Sequence, residues 1–393
     1  MDCPVPKSLD ELEFSAAQIM QNASLNCSTD IFSQLIFEKF KVNLLFEEKP
    51  FVHVWYSQVF YCVLFTLTIA AALIGNFTVM WIILYHRQMR SVTNYYLFNL
   101  AVADTSISIF NTGFSWTYNY YYVWRFGQFY CQVNQLMGIT PICASVFTMI
   151  VMSIERYYAI MHPLKKRPGK RSTVTIICCI WFLAFSCGVP AFVYSKVDVF
   201  YFYDNVSLYE NPLCFSDNWP GGRDSWIGSY YNRSIIILEY IIPLCILSVA
   251  YFRVGVELRK DRTVGDVRHA KSVAAKKKAS IMLAAVVFIF MFVWFPYNAY
   301  YLILDLVKNV EIQNRLVSLY IYINIYWLGM SSTVFNPVIY YFMNKRFRVG
   351  FHRAFRWLPF IKSDRDEYRA ILSKTRPSII PPSQSQVVAN TDF

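Results

Sequence analysis

Charge is scarce in this chain. Of its 393 residues, 16% are Asp, Glu, Lys or Arg and 56% are hydrophobic, and the charges are gathered in blocks between long apolar runs. A string of soluble domains needs charged surface along its whole length, so that class is excluded. The apolar runs are too long for ordinary core helices and suit a hydrocarbon layer about 30 Å thick. Histidine is also rare: His53, His86, His162, His269 and His352 all lie outside the apolar runs or at their ends. No catalytic constellation of nucleophile, base or metal ligands is present, so no enzyme is expected. The chain shows no internal repeat and few charges within its apolar runs, which argues against a transporter or channel, the distant alternative. No apolar stretch near the start has the form of a cleavable signal, so membrane delivery is expected to rest on the first span. The net charge of +12 does not point to nucleic acid, because the bases lie beside the spans.

What is present is a set of seven apolar segments, at 57–84, 93–116, 128–160, 173–194, 229–257, 276–304 and 314–342. They predict an all-α membrane protein, a seven-transmembrane helix bundle over 56–343. Connectors 86–92, 161–172 and 258–279 hold fifteen bases, whereas the opposite connectors hold five: Arg125, Lys196, Arg223, Lys308 and Arg315. The positive-inside rule therefore places the amino terminus outside and the carboxyl terminus in the cytoplasm of a multi-pass plasma-membrane protein. Residues 1–55 read as a polar extracellular tail with eight acids and four bases, able to attract a cationic ligand. The tail carries glycosylation sequons at Asn22 and Asn26, and a third falls at Asn205. Cys3 and Cys27 either pair in that oxidising space or remain two free thiols.

The most informative stretch runs from Trp327 to Phe360. Its first half is an apolar helix carrying Asn336-Pro337-Val338-Ile339-Tyr340. A proline there frees a backbone carbonyl, which in lipid must be satisfied by a neighbouring helix, a polar side chain or water. Over 344–360, Lys345, Arg346, Arg348, Arg353 and Arg356 alternate with Phe347, Phe351 and Phe355 at helical spacing. That is the pattern of a short amphipathic helix lying on membrane lipid. Polar residues inside the other segments are few, and each is expensive. They are Asn76 after Gly75; Asn99 and Asp104; Ser145 and then Glu155-Arg156-Tyr157; Trp181; Glu239 and Tyr251; and Trp294 before Pro296.

This set of motifs, over about 57–357, resembles the rhodopsin-like G-protein-coupled receptors. Within them, Trp327 to Phe360, Ser91 to Tyr96, Phe110-Asn111-Thr112 and Phe129-Tyr130-Cys131 are most similar to the tachykinin receptors. Neuropeptide Y-like and orexin-like receptors are the alternative. A light receptor would need a Schiff-base lysine in 314–342, and none is there. Glu155 stands where most members have Asp, Val293 where a Cys is usual, and Lys276 where many have a latching acid. The usual palmitoylated Cys is missing after Arg356, leaving Trp357 and Phe360 as interfacial anchors.

The resemblance implies a receptor for a neuropeptide, coupled to heterotrimeric G proteins of the Gq class. Its ligand contacts are expected at Asn111, Asn134, Gln135, Asn232, Trp294, Tyr297, Asn298 and Tyr322. Amides suit an amidated peptide end because they both donate and accept, although each can equally be interhelical glue worth about 0.6 kcal/mol. Arg156 is expected to contact the G protein and to pair with Glu155 at rest. Phe290, Trp294, Tyr251, Asn336, Pro337 and Tyr340 are expected to form the activation path. Cys131 and Cys214 are expected to form a disulfide over the bundle mouth, closing an 84-residue loop worth about 4–5 kcal/mol. No cofactor is implied beyond an allosteric sodium ion at Asp104, Ser145 and Asn336; a protonated Asp104 bonded to its neighbours reads the same in sequence.

Glu239 has no counterpart in the resemblance. Seven residues after Asn232, it is expected on the same cavity-lining face, reading a basic group on the ligand or bonded neutral to a tyrosine. Residues 361–393 read as a disordered tail. Its phosphorylation sites Ser363, Ser373, Thr375, Ser378, Ser383, Ser385 and Thr391 suit arrestin recruitment, and Thr391-Asp392-Phe393 has the form of a PDZ-domain ligand.

Overall fold

The computed structural model describes residues 3–21, 27–40, 42–46, 54–162, 168–203, 207–216, 218–222, 225–259, 267–306, 315–359, 361 and 364–372. The sequons at Asn22, Asn26 and Asn205 lie outside these residues, as do Ser363 and the tail from 373 onward.

Seven long helical segments among the described residues form the bundle. They are α3 (Trp55–Tyr85), the bent pair α4 (Val92–Ile107) and α5 (Gly113–Tyr121), α6 (Gly127–Met161), α7 (Lys170–Val193), the bent pair α8 (Trp226–Ile236) and α9 (Ile242–Arg259), α10 (Val267–Leu306) and α11 (Arg315–Met343). Five of them, α3, α6, α7, the α8–α9 pair and α10, hold stretches long and apolar enough to cross a membrane. α4 ends after 16 residues, because a π turn at Ser108–Thr112 splits the second segment. The Thr112 hydroxyl donates to the Ile107 carbonyl there at 3.2 Å. A second π turn, Ile237–Ile241, separates α8 from α9 just before Pro243, which cannot donate to its own helix.

One apolar core threads the bundle, from Phe65, Val79 and Leu100 through Val146 and Val286 to Ile323 and Tyr340. The outer surface is also apolar: Leu67, Phe182, Phe252, Phe288 and Phe342 are all exposed. In water such patches mean aggregation; around a seven-helix bundle they mean lipid.

At the end of the bundle bearing Cys131, the segment read as a polar tail is folded. Helices α1 (Leu12–Gln21) and α2 (Thr29–Phe40) and strand β1 (Asn43–Leu45) are stapled by a Cys3–Cys27 disulfide. Leu12, Ala16, Phe32, Ile36 and Leu44 make a small core with Tyr203. The apolar residues recur at i, i+4, so the cause is legible in the sequence, but the charge count obscures it. β1 adds in parallel to a hairpin of β2 (Lys196–Tyr203) and β3 (Leu208–Phe215), with Leu44 opposite Tyr201. A second disulfide, Cys131–Cys214, ties β3 to the start of α6.

At the other end, α12 (Lys345–Ala354) is capped by Asn344, whose side chain accepts from the Arg346 amide at 3.1 Å. A further helix, α13 (Arg365–Leu372), stands where the sequence reading placed the beginning of a disordered tail. Leu372 is buried in the main core, Glu367 pairs with Lys345 at 2.9 Å, and the Tyr368 hydroxyl meets His86 Nε2 at 3.0 Å. The local cause is Asp364, whose carboxylate accepts from the Asp366 amide at 2.8 Å and starts the helix.

Candidate functional site

The middle of the bundle is organised by Pro337. Without an N–H, Pro337 leaves the Thr333 carbonyl without its helical donor. Asn76 of α3 supplies one, its Nδ2 donating to Thr333 O at 2.9 Å and to Ala72 O at 2.9 Å. Gly75 makes this approach possible, since a Cβ there would lie 2.9 Å from the Pro337 ring. One residue before the proline, Asn336 Nδ2 donates to Asp104 Oδ2 at 2.8 Å. Ser145 is buried on α6, and Tyr340 is fully buried against Phe347. Asn76 Oδ1 and the Tyr340 hydroxyl are buried without hydrogen-bond partners among the described residues. The Asp104 carboxylate and the Ser145 hydroxyl are hard oxygen donors, the chemistry that a small monovalent cation takes. Asn99 links three helices, donating to Thr148 Oγ1 at 2.8 Å while its Oδ1 accepts from Trp181 Nε1 at 2.8 Å.

Toward the disulfide end, aromatics ascend α10. Phe290 and Trp294 have ring centroids 5.8 Å apart, Trp294 and Tyr297 5.4 Å, and Tyr297 and Tyr301 4.9 Å. The Tyr301 hydroxyl then meets Tyr322 of α11 at 3.1 Å. Trp294 is buried and its Nε1 donates to Ser332 at 3.2 Å. Asn111 and Asn134 are buried and bonded to each other: Asn111 Nδ2 donates to Asn134 O at 2.9 Å, and Asn134 Nδ2 donates to Ser115 Oγ at 2.9 Å. Tyr326 adds a donor to Asn111 Oδ1 at 3.3 Å. These two amides thus work as interhelical contacts. Gln135 lies beneath the disulfide, 3.8 Å from Cys214 Sγ, and Asn298 Nδ2 donates back to Trp294 O at 2.9 Å. Tyr301, Tyr326 and Ser115 escaped the sequence reading; spacing each tyrosine four residues from Tyr297 or Tyr322 finds the first two.

Asn232 and Glu239 differ in their surroundings. Asn232 is exposed, whereas Glu239 Oε1 accepts from the buried Cys143 thiol of α6 at 3.1 Å. Glu239 lies within the π turn Ile237–Ile241, which alters the rotation that seven residues of α-helix would give. Glu239 is bonded to a thiol, where a tyrosine was the expected neutral partner.

At the opposite end Arg156 is buried on α6 and donates to the Thr93 hydroxyl at the start of α4. Thr93 in turn lies 3.5 Å from both Glu155 carboxylate oxygens, so one hydroxyl contacts both base and acid. Tyr251 of α9 accepts from Ser153 at 3.0 Å, one turn from Arg156. Tyr157 is half-buried, its ring near His162. Sequence reasoning missed Thr93, which as a lone hydroxyl near a helix start reads as a cap.

A lidded polar mouth at one end, a buried arginine at the other and a proline-broken polar core between them define a seven-helix membrane receptor. The profile described as 7 transmembrane receptor (rhodopsin family) matches residues 75–340. The chain belongs to that family, whose members are receptors and not enzymes. It is 37% identical over 320 residues to the Tachykinin-like peptides receptor 99D of Drosophila melanogaster, covering 79% of this chain and 60% of that one. It is 38% identical to the Neuromedin-K receptor of Rattus norvegicus, over 79% of this chain and 67% of the relative. Against the Substance-P receptor of Cavia porcellus it is 35% identical, over 81% and 76%. The chain thus spans less than two thirds of the fly receptor's length and more of the other two.

Proposed function

We propose that this protein is a plasma-membrane receptor for a neuropeptide of the tachykinin-like kind, signalling through heterotrimeric G proteins of the Gq class. The observation that carries the reading is the continuous aromatic column Phe290, Trp294, Tyr297, Tyr301 on α10, which joins the disulfide-lidded mouth to the Pro296 break. By the distribution of basic connectors the lidded end is extracellular and the Arg156 end cytoplasmic. A peptide end seated among Gln135, Tyr297, Asn298, Tyr301 and Tyr322 bears on this column. Its contacts differ between two arrangements of α10, and that difference in affinity shifts the population. The exposed acids of the folded amino-terminal cap, Asp10, Glu11, Glu13, Asp30 and Glu38, favour a ligand with basic residues outside its buried end.

In the resting arrangement Thr93 holds Arg156 inward; outward movement of α10 frees it for the G protein. A sodium ion at Asp104, with oxygens from Ser145 and Asn336, would supply a positive charge that stabilises the resting core. Tail phosphorylation that recruits arrestin, and PDZ binding at Phe393, belong to the same reading.

The test is a screen of amidated neuropeptides on cells expressing the chain, read as calcium or inositol phosphate. Tachykinin-like peptides should respond, and Tyr301→Phe and Asn298→Ala should lower potency at normal surface expression. Response only to neuropeptide Y-like or orexin-like peptides would overturn the ligand class, and unchanged potency in both variants the placement.

A further inference from the structure

The cytoplasmic end, as oriented above, carries a cavity of about 540 Å³ between α3 and α12. Gly350 presses α12 onto α3 so closely that a Cβ would meet Ile82 Cδ1 at 2.8 Å. One turn further along, the helices part and leave a wedge. Its α3 wall is Phe77, Trp81 and Tyr85, spaced four residues apart, and its other wall is Arg353 of α12 with Phe355 and Arg356 just beyond that helix. The Trp81 and Tyr85 rings stack at 5.1 Å, and all three α3 aromatics are exposed. The Tyr368 ring supports Arg353, 5.0 Å from the guanidinium. Arg356 is exposed with no ion-pair partner among the described residues.

We propose that this wedge binds one anionic phospholipid of the inner leaflet, with an acyl chain along Phe77, Trp81 and Tyr85 and the phosphate between Arg353 and Arg356. Two chemistries meet in the one cavity. The aromatic wall opens sideways, where a seven-helix bundle has hydrocarbon and no competing water. Arg353, near the end of α12, and Arg356, just beyond it, both line the cavity, and Trp357, 73% exposed, comes next in the chain; such residues gather where lipid headgroups begin. A sterol would fill the aromatic wall but leave both arginines unmatched, and a free phosphate would leave the wall bare. Planar guanidinium forks match phosphate oxygens in pairs. The site also stands where the palmitoyl anchor is missing, so a bound lipid would tie α12 to the membrane without a covalent bond.

The inference rests on the proposed orientation but needs no agonist, so it can fail independently of the peptide reading. The full chain, purified in a neutral detergent and stripped of lipid, is titrated with phosphatidylserine, phosphatidylcholine, cholesterol or inorganic phosphate, and bound lipid is counted by native mass spectrometry. One phosphatidylserine should be retained in preference to the other three. Each arginine replaced by Gln should weaken that retention roughly fivefold, and Arg356→Lys, which keeps the charge but loses the fork, should fall between wild type and Arg356→Gln. Arg356→Gln alone suffices if Arg353→Gln, which also strips the Tyr368 packing, unfolds α12. Brominated-chain phosphatidylserine should quench wild type more than Trp81→Phe, placing the chain. Equal retention of phosphatidylcholine or cholesterol, retention indifferent to Arg356→Gln, or competition by phosphate alone would each overturn the proposal.

Discussion

Asn76 and Pro337 are a single device split between two helices. The proline breaks the α11 ladder at Thr333, and the amide of Asn76 closes it from α3. Asn76→Ala should therefore leave a buried carbonyl unpaired and cost about 1–3 kcal/mol, read as a lower unfolding midpoint in detergent. In a Pro337→Ala background the backbone N–H returns, so the same substitution should cost much less; equal cost in both backgrounds would refute the coupling. Thr93 is the second residue with a definite prediction. Its hydroxyl contacts both Arg156 and Glu155, so Thr93→Val should loosen the resting state and raise basal inositol phosphate at equal surface expression. The need for a donor at Pro337 was legible in the sequence, because proline chemistry dictates it. That Asn76 meets it was not, because only packing shows which polar residue comes within reach. Glu239 makes the same point: its register from Asn232 runs into a π turn that no residue count reveals.

The elements divide in the same way. The spanning helices could be read from their apolar runs, since lipid allows few alternatives. The amino-terminal cap and α13 were only partly legible, because each takes part of its partner surface from elsewhere in the chain. The amino-terminal cap leans on Tyr203 of the hairpin, and α13 leans on α12 and His86. Cys3→Ser with Cys27→Ser should release the cap, as the bridge is worth about 3 kcal/mol on the chain-entropy model. Hydrogen exchange over Leu12–Gln21 should rise while the bundle stays protected; unchanged exchange would show that β1 pairing alone holds the cap.

Docking of α13 should depend on pH. Burial lowers the His86 pKa below the ordinary 6.5, and nearby Arg353 adds to this while the Ile82 carbonyl opposes it. A histidine harder to protonate when folded takes its proton more readily once released. Stability is therefore full above the ordinary value and is lost as pH falls through it, the loss levelling off below the depressed folded value. Exchange protection of Arg365–Leu372 should fall on acidification and become less pH-dependent in His86→Asn. Identical pH profiles would assign the dependence to another group.

At the scale of the whole molecule, the chain is a two-ended device. A folded cap and a disulfide-tied hairpin cover one mouth, an aromatic column descends from it, and Arg156 waits at the far end behind Thr93. On the proposed function these ends are coupled while their tasks remain separate. The direct test compares wild type with Arg156→Ala in the same cells, measuring agonist binding and inositol phosphate release together. Binding should survive with the response abolished. A full response from Arg156→Ala would contradict the account.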